Sequence, residues 1–162
     1  MIPTIREFTP DDIPQMCPIW NYIVSEGNSF PQEDHLSESE ALEFFSGQSF
    51  TGVAQSGSDV VGLYILHPNN IGRCGHIANA SYAVDASKRG KHIGEELVKH
   101  SLTMGAKLGF RILQFNAVVA SNKWAIHLYK KLGFTPLGTI PGGFRMGDDE
   151  YADIIPFYIP LV

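Results

Sequence analysis

Apolar and polar positions follow a strand-like alternation in some stretches of the chain and a helical period in others, and their order predicts the elements of the fold. In the first half, Ile5 and Phe8 indicate a short strand over Thr4–Phe8. The capping segment Thr9-Pro10-Asp11-Asp12 then begins a helix over Ile13–Ser25. The other elements of this half are a helix that Ser37 opens and Gly47 closes, and a hairpin of two strands, Phe50–Gln55 and Val60–Leu66.

The second half of the chain alternates strands with helices. A strand over His76–Val84 leads through a polar turn into a helix over Lys91–Leu108. A later helix over Lys123–Leu132 has an apolar stripe formed by Trp124, Ala125, Leu128, Tyr129 and Leu132. The remaining strands are Arg111–Val119, Phe134–Thr139 and Ala152–Ile159, with a surface loop over Pro141–Glu150 before the last. Because helices alternate with strands only in this half, the order predicts a mixed α+β sheet protein.

The composition of the 162 residues is typical of one folded domain, which we expect to span residues 1–162. With 44% hydrophobic residues the chain can fill a core. No apolar run approaches the roughly 20 residues of a membrane helix, and the N-terminal MIPTIREFTPDD has no apolar signal core. Cys17 and Cys74 alone make neither a disulfide framework nor a CxxC metal pair. We therefore expect a cytoplasmic protein with no membrane partner and no metal.

The charges are unevenly distributed, which changes what the net charge of -5 implies. Residues 1–72 hold one basic and ten acidic residues, whereas residues 73–162 hold eleven basic and seven acidic residues. An evenly acidic protein would be a poor candidate for binding phosphates, but the second half of this chain is basic enough to bind them. The negative total disfavours a protein that reads duplex DNA, so no nucleic-acid partner is expected.

A concentrated group of basic residues lies in the turn between a predicted strand and a predicted helix, VDASKRGKHIGEEL. Lys88, Arg89 and Lys91 stand there beside Gly90 and Gly94. A helix N-terminus offers unpaired N–H groups and the positive end of its dipole, and glycines let a ligand approach the backbone. The turn is therefore either an anion site suited to a pyrophosphate or an ordinary strand–helix turn with a solvated basic edge. It matches neither the Walker pattern nor the GxGxxG dinucleotide pattern.

Two segments together resemble the acetyl-CoA signature of the GCN5-related N-acetyltransferases, the GNAT family. They are RGKHIG and, one helix and one strand later, SNKWAIHLYKKLGF. The family's loop pattern, Q/R-x-x-G-x-G/A, falls on Arg89–Gly94 and differs at His92, where the pattern has Gly. A side chain then stands where glycine would permit a positive φ. The second motif fits at every position: Asn122, Ala125, Tyr129, Gly133 and Phe134.

The resemblance implies both a fold and a chemistry. The fold is a GNAT-type mixed central β-sheet of about seven strands flanked by about four helices, splayed between the fourth and fifth strands. The chemistry is that of an acyltransferase that uses acetyl-CoA as cosubstrate. Tyr129 would be catalytic, because a phenol with a pKa of about 10 stays protonated at neutral pH and can donate to the departing thiolate. The residues implied to bind the coenzyme are Tyr82, Ala83, Val84, Arg89, Gly90, Lys91, His92, Ile93, Gly94, Asn122, Ala125 and Tyr129.

Two further segments, GHIANASYAV and QFNAVVASN, are similar to fungal N-acetyltransferases that act on proline analogues such as azetidine-2-carboxylate. This similarity implies that Asn79 and Asn116 bind the substrate and that Asn116 contributes to catalysis. The alternative is that local backbone bonds satisfy both amides. The implied acceptor is a small-molecule amine, for example an amino acid or a proline analogue. A protein or peptide acceptor and a non-catalytic acyl-CoA-binding sensor remain open as alternatives.

Some residues outside these motifs are candidates for a proton acceptor or a nucleophile. A base that deprotonates the amine is sought among Glu26, Glu33 and His76, with water as the alternative. Cys74 would permit an acetyl-cysteine intermediate. The family resemblance instead favours direct attack by the amine in a ternary complex.

Two patterns bear on metals and on assembly. His92, Glu96 and His100 recur every four residues, and without the HExxH order this favours a solvated helix face over a metal site. The apolar tail Ile154–Val162, broken by two prolines, is a candidate edge strand in a homodimer.

Overall fold

Residues 2–162 are described by a computed structural model, and within them eight strands form one sheet on which four α-helices pack. The strands are β1 (Thr4–Glu7), β2 (Phe50–Ser56), β3 (Asp59–Pro68), β4 (Ile77–Val84), β5 (Ile112–Val119), β6 (Thr135–Pro136), β7 (Ile140–Gly147) and β8 (Glu150–Pro160). The helices are α1 (Ile13–Glu26), α2 (Glu38–Ser46), α3 (Ile93–Lys107) and α4 (Lys123–Lys131). None of these helices combines the length and the apolar character needed to cross a bilayer.

The order of strands across the sheet is β1-β2-β3-β4-β5-β8-β6, and β7 also pairs with β8. All neighbours are antiparallel except β4 and β5, which are parallel. The expected mixed α+β sheet is confirmed. The crossover through α3 makes this parallel pair possible, because parallel strands must be joined by a long connection.

Helices cover both faces of the sheet, which explains the nearly continuous apolar run of β3. Tyr64 and Leu66 belong to the core that α3 and α4 cover, whereas Leu63 and Ile65 belong to the core under α1 and α2. Gly62 in the same strand lets α3 approach closely, since a Cβ there would lie 3.2 Å from a side-chain carbon of Ile93. The N-terminus of α3 is thereby fixed over the sheet.

Local capping residues set the helix ends near the predicted positions. The Ser37 hydroxyl accepts from the Glu40 N–H at 3.2 Å, and the Glu40 carboxylate accepts from the Ser37 N–H at 3.0 Å. At the start of α4 the Asn122 side chain accepts from the Ala125 N–H at 3.2 Å. The first helix ends where Gly27 takes a left-handed φ of 67°.

The predicted splay between the fourth and fifth strands is present. Only Ile77 with Ile112 and Ala78 with Leu113 pair between β4 and β5. Beyond these two pairs β4 continues along β3, from Asn79 to Val84, without a partner on its other edge. The two strands therefore enclose a wedge-shaped opening at their C-terminal ends.

Three sequence predictions about elements were wrong in part. The expected loop over Pro141–Glu150 is mostly strand β7, and the strand expected over Phe134–Thr139 has only two residues. The loop was predicted because Gly142 and Gly143 are typical of a turn. In the structure Gly143 is instead required by packing, since a side chain there would collide with Ile154 across the β7–β8 pair. The third difference is the start of α3, which begins at Ile93 rather than Lys91 because His92 has a left-handed backbone.

Candidate active site

The opening between β4 and β5 is the centre of the candidate site. Along residues 79–84 the backbone groups of β4 that point away from β3 have no strand partner. Each peptide unit holds one donor and one acceptor that need partners. An extended ligand can supply them as an added strand would.

The predicted anion turn leads from the end of β4 to the first turn of α3. Gly90 and His92 both have left-handed backbones, with φ of 82° and 62°. His92 is the one non-glycine residue with positive φ among residues 2–162, and that conformation costs an L-residue roughly 1–2 kcal/mol. The N–H of Glu96 donates to the carbonyl of His92 at 3.2 Å. The N–H groups of residues 93–95 therefore lie ahead of the first intrahelical bond and can receive an anion.

The basic side chains of this turn are not equivalent. Arg89 donates to both carboxylate oxygens of Glu26, at 2.6 and 3.1 Å, and lies 5.9 Å from the centroid of the Tyr22 ring. These hydrogen bonds from Arg89 to Glu26 raise the pKa of the guanidinium further. Lys88 is half-buried and Lys91 is exposed. Arg89 thus ties the turn to α1, and it occupies Glu26, one of the candidate bases.

A buried carboxylate ties α3 to α4. Glu95, in the first turn of α3, accepts from Lys131 at 3.0 and 3.1 Å and pairs with Lys99 at 3.0 Å. The hydrogen bond from Lys131, followed by that from Lys99, lowers the pKa of Glu95 to about 2. The first turn of α3 and the C-terminal end of α4 are therefore held together.

The start of α4 lies against the turn. The Asn122 oxygen caps the helix, and its amide nitrogen, which has no hydrogen-bond partner within residues 2–162, can donate to a ligand. Ala125 is buried, whereas Trp124, which belongs to the same apolar stripe, is 60% exposed. Trp124 is at the edge of the stripe and rests on Gly94, where a Cβ would lie 2.7 Å from the indole ring.

Tyr129 lies among aromatic rings on the α4 side of the sheet. Its ring centroid is 4.5 Å from that of Phe115, 5.4 Å from Phe134 and 5.8 Å from Phe157. Within residues 2–162 no group is hydrogen-bonded to its hydroxyl, and burial raises the pKa of the phenol. The hydroxyl therefore keeps its proton across the physiological range and has it available to donate.

A cluster of four side-chain amides, which we call the amide cluster, joins β4 and β5 to the loop after β3. Asn116 donates to Asn69 at 2.7 Å, and Asn69 donates back to Asn116 at 3.1 Å. Asn79 also donates to Asn69, at 3.3 Å, and Gln114 donates to Asn116 at 3.1 Å. The two predicted substrate residues are thus brought together through Asn69. Sequence reasoning missed Asn69 and Gln114, although the i, i+2 spacing of Gln114 and Asn116 on a strand was a usable signal.

The amide cluster and Tyr129 are on opposite faces of the sheet. Phe115, which contacts Tyr129, belongs to the core under α3 and α4, so its neighbours Gln114 and Asn116 face the other way. At Asn116 the strand has a bulge, since Phe115 pairs with Phe157 but Val118 pairs with Ile155. A ligand in the opening would have the phenol on one side and the amides on the other.

The remaining candidates have partners or lie apart. Glu33 is ion-paired with Arg145 of β7. His100 is not on a solvated face as predicted, because it is half-buried and hydrogen-bonded to the Tyr64 hydroxyl at 2.8 Å. His76 and Cys74 are exposed just before β4. Residues 2–162 contain no group of three or more His, Cys, Asp or Glu side chains that could hold a metal ion.

Comparison with known proteins places the chain among relatives of this architecture. The model of the acetyltransferase (GNAT) family matches residues 17–134. N-acetyltransferase aca1 of Schizosaccharomyces pombe is 30% identical, over 86% of this chain and 77% of that protein. A GCN5-related N-acetyltransferase from Kribbella flavida has a TM-score of 0.88 at 31% identity, covering 97% of this chain and 96% of its own.

A third relative contains the coenzyme. The phosphinothricin acetyltransferase from Sinorhizobium meliloti, in complex with acetyl-CoA, has a TM-score of 0.88 over 99% of this chain and 89% of its own. At 23% identity this likeness shows the fold alone. The family match covers both the turn and α4, and the fungal relative agrees with the similarity of the β4 and β5 segments. The chain therefore belongs to the GNAT family of N-acetyltransferases and is an acyltransferase enzyme.

Proposed function

We propose that this enzyme moves the acetyl group of acetyl-CoA to the amine of a small molecule that also bears a carboxylate, such as an amino acid or a proline analogue. The observation that carries the proposal is the opening between β4 and β5. It has the turn Arg89–Gly94 at its end, Tyr129 on one face and the amide cluster on the other. Acetyl-CoA in the Sinorhizobium meliloti protein of the same fold supports this cosubstrate.

The coenzyme fits the opening along its length. The pantetheine arm pairs with the free backbone groups of Tyr82 and Val84, on either side of Ala83, and the amide nitrogen of Asn122 donates to it. The pyrophosphate lies on the N–H groups of Ile93, Gly94 and Glu95 at the positive end of α3. Gly90, His92 and Ala125 shape these backbone positions.

Among the basic side chains of the turn, Lys88 and Lys91 serve the phosphates most directly. Neither is ion-paired with another described residue, whereas Arg89 is engaged with Glu26. Arg89 acts mainly by fixing the turn against α1. Binding of the anionic phosphates explains why basic side chains are concentrated in this turn although the net charge of the chain is -5.

The reaction proceeds by direct attack. The neutral amine forms a bond to the thioester carbonyl carbon, and the oxygen that develops negative charge is held by a backbone N–H of β4, namely that of Val84. When the C–S bond breaks, the electron pair goes to sulfur and Tyr129 donates a hydrogen bond to it. The amine nitrogen releases its proton to water, because Glu26 and Glu33 are both paired with arginines and His76 is exposed ahead of β4. Orientation of the two substrates contributes much of the acceleration.

The amide cluster binds the acceptor on the face opposite Tyr129. Its NH₂ groups can donate to a carboxylate and its oxygens can accept from an amine, so it suits a molecule that has both. Asn116 orients the attacking nitrogen from the bulge of β5, and Asn79 and Asn69 hold the carboxylate. The four amides already bond to one another, so a bound acceptor replaces some of these hydrogen bonds with its own.

A thiol-release assay tests the proposal. Purified enzyme with acetyl-CoA is given proline analogues, free amino acids, decarboxylated amines, polyamines and short peptides. We expect the highest kcat/KM for a free amino acid or analogue, and a large loss when the carboxylate is removed. In Asn69→Ala the KM for that acceptor should rise while the KM for acetyl-CoA is unchanged.

Two results would contradict the proposal. Turnover of peptides well above free amino acids would make the protein a peptide acetyltransferase. Binding of acetyl-CoA without thiol release for any amine would make it a sensor.

A further inference from the structure

Trp124 is an exposed apolar side chain that the fold does not explain. Its indole is 60% exposed, whereas the only other tryptophan, Trp20, is 1% exposed in the core under α1 and α2. Exposing a large aromatic ring forgoes most of the free energy that its burial would provide. An exposed aromatic ring at the edge of a candidate nucleotide site can stack on a base.

The position of the ring relates it to the coenzyme turn. The far edge of the indole lies over Gly94, so that an added Cβ would be 2.7 Å from one ring carbon and 3.4 Å from the next. Gly94 is in the first turn of α3, whose free N–H groups were assigned above to the pyrophosphate. The indole is therefore beside the phosphate position rather than inside the opening.

The surroundings of the ring suit a nucleotide. Lys123, the preceding residue, is exposed and has no ion-pair partner among the described residues, and Lys91 and His92 are exposed at the facing turn. The apolar ring thus has an exposed lysine next to it in sequence and a basic turn beyond Gly94. A coenzyme whose pyrophosphate lies on α3 has its adenosine within reach of that edge, because the ribose and base follow the pyrophosphate directly.

We propose that the Trp124 indole stacks on the adenine base of the coenzyme and selects donors that contain the nucleotide. The proposal rests on the proposed function, since it takes acetyl-CoA as the donor. Stacking of a base on an aromatic side chain corresponds to roughly 5- to 150-fold in affinity when the ring is removed. Gly94 contributes to the same adenine site, because only a residue without a side chain lets the indole lie against the turn.

The test compares two donors that differ in the nucleotide. Acetyl-CoA and S-acetyl-pantetheine share the thioester and the pantetheine arm, and only the first has adenine. In Trp124→Leu we expect the KM for acetyl-CoA to rise about tenfold or more, with kcat and the kcat/KM for S-acetyl-pantetheine unchanged. Trp124→Phe retains an aromatic ring and should stay within about threefold of the wild type. Because the side chain is exposed, both variants should keep the melting temperature of the wild type.

Tryptophan fluorescence gives a second reading that does not depend on turnover. Adenosine 3′,5′-bisphosphate, which has the base but no pantetheine, should quench the emission of the wild type. The quenching should disappear in Trp124→Phe, whose remaining Trp20 is buried.

The outcomes separate the two proposals. Normal turnover by the wild type with an unchanged KM in Trp124→Leu would overturn the stacking and leave the proposed function standing. An equal loss for both donors would also overturn it, since Trp124 would then only support the turn. Quenching that depends on Trp124 in a protein that acetylates no amine would support the stacking and reject the proposed function.

Discussion

Replacing Tyr129 with Phe isolates the chemical role of one hydroxyl. The substitution keeps the ring, and with it the contacts to Phe115, Phe134 and Phe157. No described residue is hydrogen-bonded to the hydroxyl, so its removal strands no protein donor or acceptor. We therefore expect the free energy of unfolding to change by less than about 0.5 kcal/mol.

The effect on the reaction should be much larger than the effect on stability. A hydrogen bond to a charged group contributes about 1.5–3 kcal/mol. If the phenol donates to the thiolate only as negative charge develops, this energy appears in the transition state, and kcat should fall roughly 10- to 150-fold. The KM for acetyl-CoA should change little, because the ground-state thioester sulfur is a weak acceptor.

The assay is thiol release at saturating donor and acceptor, with Tyr64→Phe as the matched control. Tyr64 is a buried tyrosine outside the site whose hydroxyl is bonded to His100 at 2.8 Å. Its loss should lower stability by about 0.5–1.5 kcal/mol and leave kcat unchanged. An unchanged kcat in Tyr129→Phe, or an equal fall in both variants, would refute the assignment.

Three further predictions concern the coenzyme turn and its supports. Gly94→Glu should abolish acetyl-CoA binding in calorimetry, because it adds bulk against Trp124 and negative charge at the phosphates; wild-type affinity would count against the site. His92→Gly should raise the melting temperature by about 1–4 °C, since glycine relieves the left-handed backbone; a lower value would mean that the histidine makes a compensating contact. Glu95 has its pKa lowered from 4.5 to about 2, so its stabilisation is present above about pH 4.5 and is lost as the pH falls toward 2. Urea unfolding of Glu95→Gln should therefore differ from wild type at pH 7 and converge with it near pH 2, and a pH-independent difference would contradict this.

The sequence predicted the centre of the fold well because each of its elements has a local signal. The segment from His76 to Leu132 has alternating strands, helical periods and capping residues such as Asn122, all of which act within a few residues. The glycine-type position of His92 was recognisable for the same reason, since the deviation lies within a short motif. The structure agrees with these predictions to within two residues at most ends.

What the sequence could not predict depends on long-range contacts. Asn69 bonds to Asn116, which is 47 residues away, and only the strand register brings the two together. Strand β7 was missed because its glycines are typical of a turn, whereas Gly143 is required by packing against Ile154. Trp124 fits the apolar stripe of α4, but periodicity does not distinguish the centre of a stripe from its exposed edge.

The central claim is that acetyl-CoA occupies the opening between β4 and β5, and amide hydrogen exchange with and without coenzyme A tests it most directly. We predict slower exchange in residues 79–84 of β4, above all at Tyr82 and Val84 whose N–H groups point away from β3, and in residues 93–95 of the first turn of α3, because bound coenzyme would accept from these free N–H groups. Exchange in the β1–β2 pair, which lies at the far edge of the sheet, should be unchanged. Protection confined to other strands, with residues 79–84 and 93–95 unaffected, would contradict the account.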